Sequence, residues 1–222
     1  MTHSLPALVL VGVTAALAVA VGVALVWRWY SRRRQAPCPA WLGGALEAGP
    51  IDWIWSARRT IERMDLRPGL RVLEIGPGPG RVLIPVAQLV GTAGSAVGVD
   101  VQPGMIDRLR ANAEVAEVNN LTGIVGDGTA PQVEPDTFDV AFLCATLGEI
   151  PDREAALRQC YLALKPEGQL HVTELFPDPH YQTPGVVKRL AASAGFRFIR
   201  RRGSWLFYTS TFEKPKDSAP RE

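Results

Sequence analysis

From Leu5 to Trp27 the chain carries no charged residue, whereas from Arg71 onward short apolar runs alternate with segments in which apolar residues recur every three or four positions. The two patterns predict two different parts. The first run is about as long as the roughly 20 apolar residues a helix needs to cross a bilayer core about 30 Å thick. Trp27, Trp29 and Tyr30 stand at its C-terminal end, where amphipathic rings prefer the headgroup region, and Arg32, Arg33 and Arg34 follow at once. This reads as one membrane-spanning helix within residues 1–30, with the N-terminus outside and the rest cytoplasmic, then a basic juxtamembrane linker over residues 31–50. A cleaved secretory signal would need a basic stretch ahead of its apolar core, and Met1 to Ser4 holds no Lys or Arg. Gly12, Ala16, Ala20 and Ala24 recur every four residues, a spacing that lets two such helices approach as a homodimer. The abundance of alanine in apolar helices explains the same spacing.

Residues 51–212 read as one α/β domain. Ile51 to Leu66 has the pattern of an amphipathic helix closed by Pro68-Gly69. Trp41, Trp53 and Trp55 near its start would touch lipid, cap a site or pack in the core. Strands are expected at Arg71 to Ile75, Ala96 to Asp100, Gly123 to Gly126, Phe138 to Leu143 and Gln169 to Glu174. Helices fit at Arg81 to Val90, Pro103 to Ala116, Arg153 to Leu164 and Pro184 to Ala194. That alternation predicts a parallel sheet covered by helices on both faces. Phe196 to Arg201 and Trp205 to Phe212, split by Arg202-Gly203-Ser204, predict a C-terminal β-hairpin, and residues 213–222 a loose tail.

Composition and charge narrow the function. A net charge of +2, with much of the positive excess in Arg28 and Arg32 to Arg34, gives no basis for a nucleic-acid partner. Cys38, Cys144 and Cys160 lack the CxxC spacing of a zinc site and the density of a disulfide scaffold, so they read as reduced thiols, and no metal site is expected.

The chemistry concentrates where the first strand, ending in Glu74-Ile75, runs into Gly76-Pro77-Gly78-Pro79-Gly80. Glycines there let a ligand approach the backbone. A dinucleotide G-x-G-x-x-G loop would put glycine at position 81, which is Arg81, and prolines supply no N–H to a pyrophosphate. Asp100 ends the second strand, where a carboxylate accepts ribose hydroxyls, and Asp127 follows the third.

The segments LRPGLRVLEIGPGPGR, VGVDVQPGM, FDVAFLCATLGEIPD and LKPEGQLHVTELFPDPHY resemble small bacterial and archaeal class I S-adenosylmethionine-dependent methyltransferases, a group related to the quinone C-methyltransferases. The resemblance implies a Rossmann-like seven-stranded sheet of order 3-2-1-4-5-7-6 with the last strand antiparallel, and S-adenosylmethionine as cofactor. It implies that Glu74, Gly76, Gly78 and Gly80 shape the cofactor loop, and that Asp100, with Val101 beside it, takes the ribose. Asp127 and Gly128 would border the adenine, with Cys144 under the sulfonium end. One departure stands out: similar sequences often carry histidine before the glutamate after strand four, where this chain has Gly148-Glu149.

Methyl transfer from a sulfonium needs alignment and desolvation, and a base only if the acceptor must lose a proton. Glu149, Glu174, Asp178, His180 and Tyr181 follow the fourth and fifth strands on the rim where such sheets bind ligands. His180 titrates closest to neutral pH and is the first choice, with Glu149 and Tyr181 beside it. The acceptor expected from a membrane-anchored domain is a small, lipid-soluble molecule. Two alternatives remain at this level: a tethered binding or assembly protein without turnover, suggested by Gly148, and a short-chain dehydrogenase, suggested by the Tyr161-x-x-x-Lys165 pair.

Overall fold

The computed structural model describes residues 57–176 and 178–216, with isolated positions 14, 22 and 26. The expected membrane-spanning helix, the linker, Trp41, Trp53, Trp55 and the small-residue spacing lie outside the described residues. Among the described residues no helix is long and apolar enough to cross a membrane.

Helix α1 (Ala57–Met64) opens the domain, followed by β1 (Arg71–Ile75), α2 (Leu83–Val90), β2 (Ser95–Asp100), α3 (Pro103–Val115) and β3 (Leu121–Val125). Then come β4 (Phe138–Cys144), a single 3-10 turn (Leu147–Glu149), α4 (Arg153–Ala163), β5 (Leu164–Leu175), α5 (Pro184–Ser193), β6 (Arg197–Gly203) and β7 (Phe207–Glu213). The helices begin where local chemistry favours it. Pro103 and Pro184 occupy first-turn positions of α3 and α5, where a missing N–H costs nothing. Asp152 caps α4, its Oδ1 accepting from Ala155 N at 2.9 Å.

The strands form one sheet of order β3-β2-β1-β4-β5-β7-β6, parallel except for β7, which runs antiparallel to both neighbours. This is the expected order. Alternation along each strand sends Leu73, Ala141 and Leu143 to one face, under Leu157 and Cys160 of α4 and Val187 of α5. Val72, Val140 and Phe142 go to the other, under Met64, Val86, Ile106 and Leu109 of the first three helices.

Several boundaries differ from expectation. Strand β5 starts at Leu164 rather than Gln169: Leu164 already pairs with Phe138, the register then shifts, and Gln169 pairs with Val140. The intervening turn is a bulge with Glu167 at φ 66°. The hairpin turn is Ser204-Trp205-Leu206, with Arg202 and Gly203 inside β6, because Ser204 Oγ accepts from the amides of Leu206 and Phe207. The C-terminal strand runs one residue past Phe212. Lys214, expected in a loose tail, is buried, with Nζ 2.7 Å from the Leu164 carbonyl and 2.6 Å from Asp136.

Candidate active site

All five parallel strands of the α/β half end on one edge of the sheet, and the chain order reverses between β1 and β4, the place where such sheets open a crevice. A cavity of about 420 Å³ lies there, lined by Glu74, Gly76, Gly78, Asp100, Val101, Asp127, Gly128, Cys144 and Glu149 among others. Eight of the nine cofactor-site residues expected from the sequence therefore meet around one space.

Gly80 is the exception. A Cβ there would come within 2.5 Å of Leu109 and 2.7 Å of Ile84, so its bareness seats the loop on α3 and does not admit a ligand. Gly76 likewise makes room for Thr146, whose hydroxyl donates to the Gly76 carbonyl at 3.2 Å and stitches β1 to the segment after β4. Gly78, at φ 54° with nothing near its missing Cβ, is the position left open for a close approach. Gly98, inside β2, takes Pro77 against its bare face, with a Cβ there falling 2.8 Å from the proline ring. A glycine interrupting an apolar strand is the signal in the sequence for such a close approach. The expected helix start at Arg81 also moves: α2 begins at Leu83, and Arg81 stays in the loop lining the cavity.

The acids are prepared for a polar ligand. Asp100 Oδ1 accepts from Gln102 N at 2.9 Å and Oδ2 from Gly78 N at 3.2 Å, which fixes the carboxylate against the glycine loop. Burial lifts its pKa, and the two amides partly offset that. Asp127 Oδ1 accepts from Thr129 N at 2.8 Å. Glu74 is almost wholly buried, its Oε2 has no hydrogen-bond partner, and burial, reinforced by Asp100, raises its pKa well above the ordinary carboxylate value. A buried oxygen acceptor beside an open cavity is what a cationic, hydrogen-bonding ligand would satisfy. Beneath it, burial pushes the Cys144 thiol up to about 12, so Cys144 is a neutral wall and not a nucleophile. Ala145, next in the chain, holds a left-handed φ of 54°, strain of the kind kept at functional sites.

The base candidates separate into two groups. Glu149 and Asp178 line the cofactor cavity. His180 and Tyr181, the first and third choices from sequence, instead line a neighbouring cavity of about 340 Å³ with Gly148, Arg153 and Gln182. Both are buried, and Tyr181 donates its hydroxyl to the Trp205 carbonyl. Glu174 is buried with Oε2 accepting from Gln182 N at 2.9 Å and Oε1 without a partner, and burial raises it strongly. Gly148 is explained by packing. A side chain there would overlap the His180 carbonyl, because the 178–182 segment lies directly on the 3-10 turn. The Tyr161-x-x-x-Lys165 pair makes no site. Tyr161 packs edge-on against Phe196, and Lys165 binds Asp139 at 2.6 Å near the start of β5, at the end of that strand remote from the glycine loop.

Residues 72–168 match the family described as "Methyltransferase domain". The chain is 32% identical to nocamycin O-methyltransferase of Saccharothrix syringae over 62% of its own length and 50% of that protein's. It is 33% identical to the ubiquinone/menaquinone biosynthesis C-methyltransferase UbiE of Vibrio parahaemolyticus over 58% of its length and 50% of that protein's. The chain thus spans about half the length of these curated relatives. In fold it is similar to a SAM-dependent methyltransferase from Aquifex aeolicus, with a TM-score of 0.73 at 18% identity, covering 80% of this chain and 98% of that one. The [4+2]-cyclase SpnF is also similar, with a TM-score of 0.64 at 18% identity, covering 72% and 79%. Residues 72–168 thus match a methyltransferase domain and the fold is that of S-adenosylmethionine-dependent methyltransferases, a match that gives S-adenosylmethionine as the cofactor.

Glu74 carries a prediction of its own. An ordinary glutamate titrates near 4.5, and the folded protein holds this one protonated well above that. Between those values the folded state binds a proton that the unfolded chain lacks, so stability falls as pH rises through the window. Glu74→Gln should abolish that fall, so that the melting temperature of the ligand-free protein no longer drops as pH rises through the window, read from melting curves taken across pH. The same change should weaken cofactor binding and remove the proton release that accompanies it in the wild type, measured by calorimetry in two buffers of different ionisation enthalpy.

Proposed function

We propose that the chain transfers the methyl group of S-adenosylmethionine to a small, lipophilic acceptor at a membrane surface, by in-line displacement. The observation that carries this reading is the convergence of Glu74, Asp100 and Asp127, from the ends of three successive strands, on the one cavity that Gly78 leaves open. When bound, the cofactor supplies a sulfonium-activated methyl group, so the protein need supply no nucleophile of its own.

Each residue's part follows from its chemistry. Asp100, already held by two amides, accepts from the ribose hydroxyls. The second oxygen of Asp127 would take the adenine amino group, while Gly128 makes room for Ile75, whose Cγ2 a Cβ there would meet at 2.6 Å. Glu74 ionises against the positive charge that enters the cavity. Cys144, Ala145 and Thr146 line the cavity and would exclude water from it, and Ile150 and Pro151 would present an apolar flank to an acceptor. Glu149 is the better-placed base for an acceptor that must lose a proton, because it shares the cofactor's cavity while His180 and Tyr181 do not.

The relatives are named for C-methylation in ubiquinone/menaquinone biosynthesis and for O-methylation of nocamycin, which supports a small-molecule acceptor. The uncharged run from Leu5 to Trp27 and the arginines behind it favour an acceptor that partitions into lipid, with the domain on the cytoplasmic side. A second reading, a protein that keeps the fold for other chemistry, draws on the likeness to a cyclase. The test is to incubate the full chain with methyl-labelled S-adenosylmethionine and a lipid extract. Label should enter an organic-phase small molecule; label confined to protein or nucleic acid would contradict the acceptor class, and none at all would favour the second reading.

A further inference from the structure

Around the tip of the β6–β7 hairpin the molecule exposes a patch that its core does not need. Trp205 is 65% exposed, Phe176 44% and Leu206 37%. The Phe176 and Trp205 rings lie 6.4 Å apart, so the patch is continuous. Contiguous large apolar side chains left in water mark a surface that meets something else. Strand β6 runs with β5 and β7 returns against both, which puts the hairpin tip at the same end of the sheet as the cofactor cavity. Phe176 stands two residues before Asp178, which lines that cavity, and the Tyr181 hydroxyl ties this segment to the Trp205 carbonyl.

The rim of the patch is cationic. Four arginines, Arg63 of α1 and Arg200, Arg201 and Arg202 of the second half of β6, stand toward this end of the hairpin. Arg63 lies over the Phe207 ring at 4.1 Å and donates to its carbonyl. Arg202 donates to the Arg63 carbonyl and to Asp65, and Arg200 binds the same Asp65, so a single acid serves two arginines. Arg201, between them, is exposed. An indole, a phenyl and an isobutyl group ringed by guanidinium groups suit the interfacial zone of a bilayer with anionic headgroups, where aromatic rings settle and each basic group adds about five-fold to binding. A second copy of the chain fits poorly, since a two-fold contact would press two like-charged rims together. The uncharged run from Leu5 to Trp27 also precedes α1, which carries Arg63, in the sequence.

We propose that Trp205 and Leu206 at the hairpin tip, with Phe176, dock into the headgroup layer of an anionic bilayer while Arg63, Arg201 and Arg202 meet its phosphates, turning the cavity-bearing end of the sheet toward the lipid. The inference rests on the reading of a methyltransferase with a lipophilic acceptor, and it names the surface that would bring the two together.

The full chain is tested with vesicles of phosphatidylcholine, with or without phosphatidylglycerol, whose acyl chains carry bromine as a quencher. Trp205 is isolated as the difference in emission between the wild type and Trp205→Phe. That difference should be quenched on vesicles containing phosphatidylglycerol and largely preserved without it, and Arg201→Glu should weaken the anionic-lipid dependence by on the order of five-fold. Three results would overturn the proposal: no quenching of Trp205, equal quenching on both vesicle types, or an emission shift that tracks protein concentration without vesicles. Cofactor binding is measured on the same samples. Quenching without S-adenosylmethionine binding would uphold the docking and contradict the methyltransferase reading, while binding without quenching would do the reverse.

Discussion

Asp100→Ala is expected to lower affinity for S-adenosylmethionine by on the order of a hundredfold, while the protein still folds. Hydrogen bonds to a charged group are worth roughly 1.5–3 kcal/mol each, and a tenfold change in affinity is about 1.4 kcal/mol. Two ribose hydroxyls on one carboxylate therefore account for a loss of that size. Part of it is indirect. Asp100 also holds the Gly78 and Gln102 amides at 3.2 and 2.9 Å, so alanine releases the loop that admits the ligand. Asp100→Asn separates the contributions: it keeps an acceptor for one amide but loses the charge, and should fall between alanine and wild type. Calorimetric titration reads all three, and unchanged affinity in the alanine variant would remove the ribose assignment.

Gly148→Ala is expected to destabilise the domain by about 3 kcal/mol, the upper part of the range for forcing extra atoms into a packed site. The methyl group would overlap the His180 carbonyl, and backbone cannot swing aside as a flexible side chain can. Relief requires the 178–182 segment to lift, which would break the 2.9 Å bond from Gln182 N to Glu174 and leave both oxygens of a buried carboxyl without that partner. Thermal melting gives the magnitude. An unshifted melting temperature would mean that the segment already stands away from the 3-10 turn.

That glycine also shows what the sequence could and could not say. Read in one dimension, Gly148 marked the loss of a histidine common in similar sequences and hinted at lost turnover. In the fold it is the space that the chain after β5 needs, and nothing within two or three positions of Gly148 records a contact made by residues more than thirty positions away. Glu74, Asp100 and Asp127 were legible because strand ends are set by local apolar runs and every parallel strand delivers its next residues to one edge. The sheet order was legible only through resemblance, since apolar runs name strands but not their neighbours. How Gly80 shapes the loop was not legible: glycines in a ligand loop look alike in sequence, and only its distance to Leu109 and Ile84 shows that it does so by packing. His180 and Tyr181 sit within three residues of Asp178 in the chain, yet line a different cavity, because the segment folds back and buries them. Lys214 lay beyond any apolar pattern; its anchor is the buried Leu164 carbonyl just before the β5 bulge.

The central claim is that the glycine loop and its three acids form an S-adenosylmethionine site. The most direct measurement is a calorimetric titration of the wild-type chain with S-adenosylmethionine, S-adenosylhomocysteine and NADH in parallel. Stoichiometric binding of the first two, with proton release for S-adenosylmethionine as Glu74 ionises, and none of NADH is the result expected. Binding of NADH in their place, or of none of the three, would contradict it.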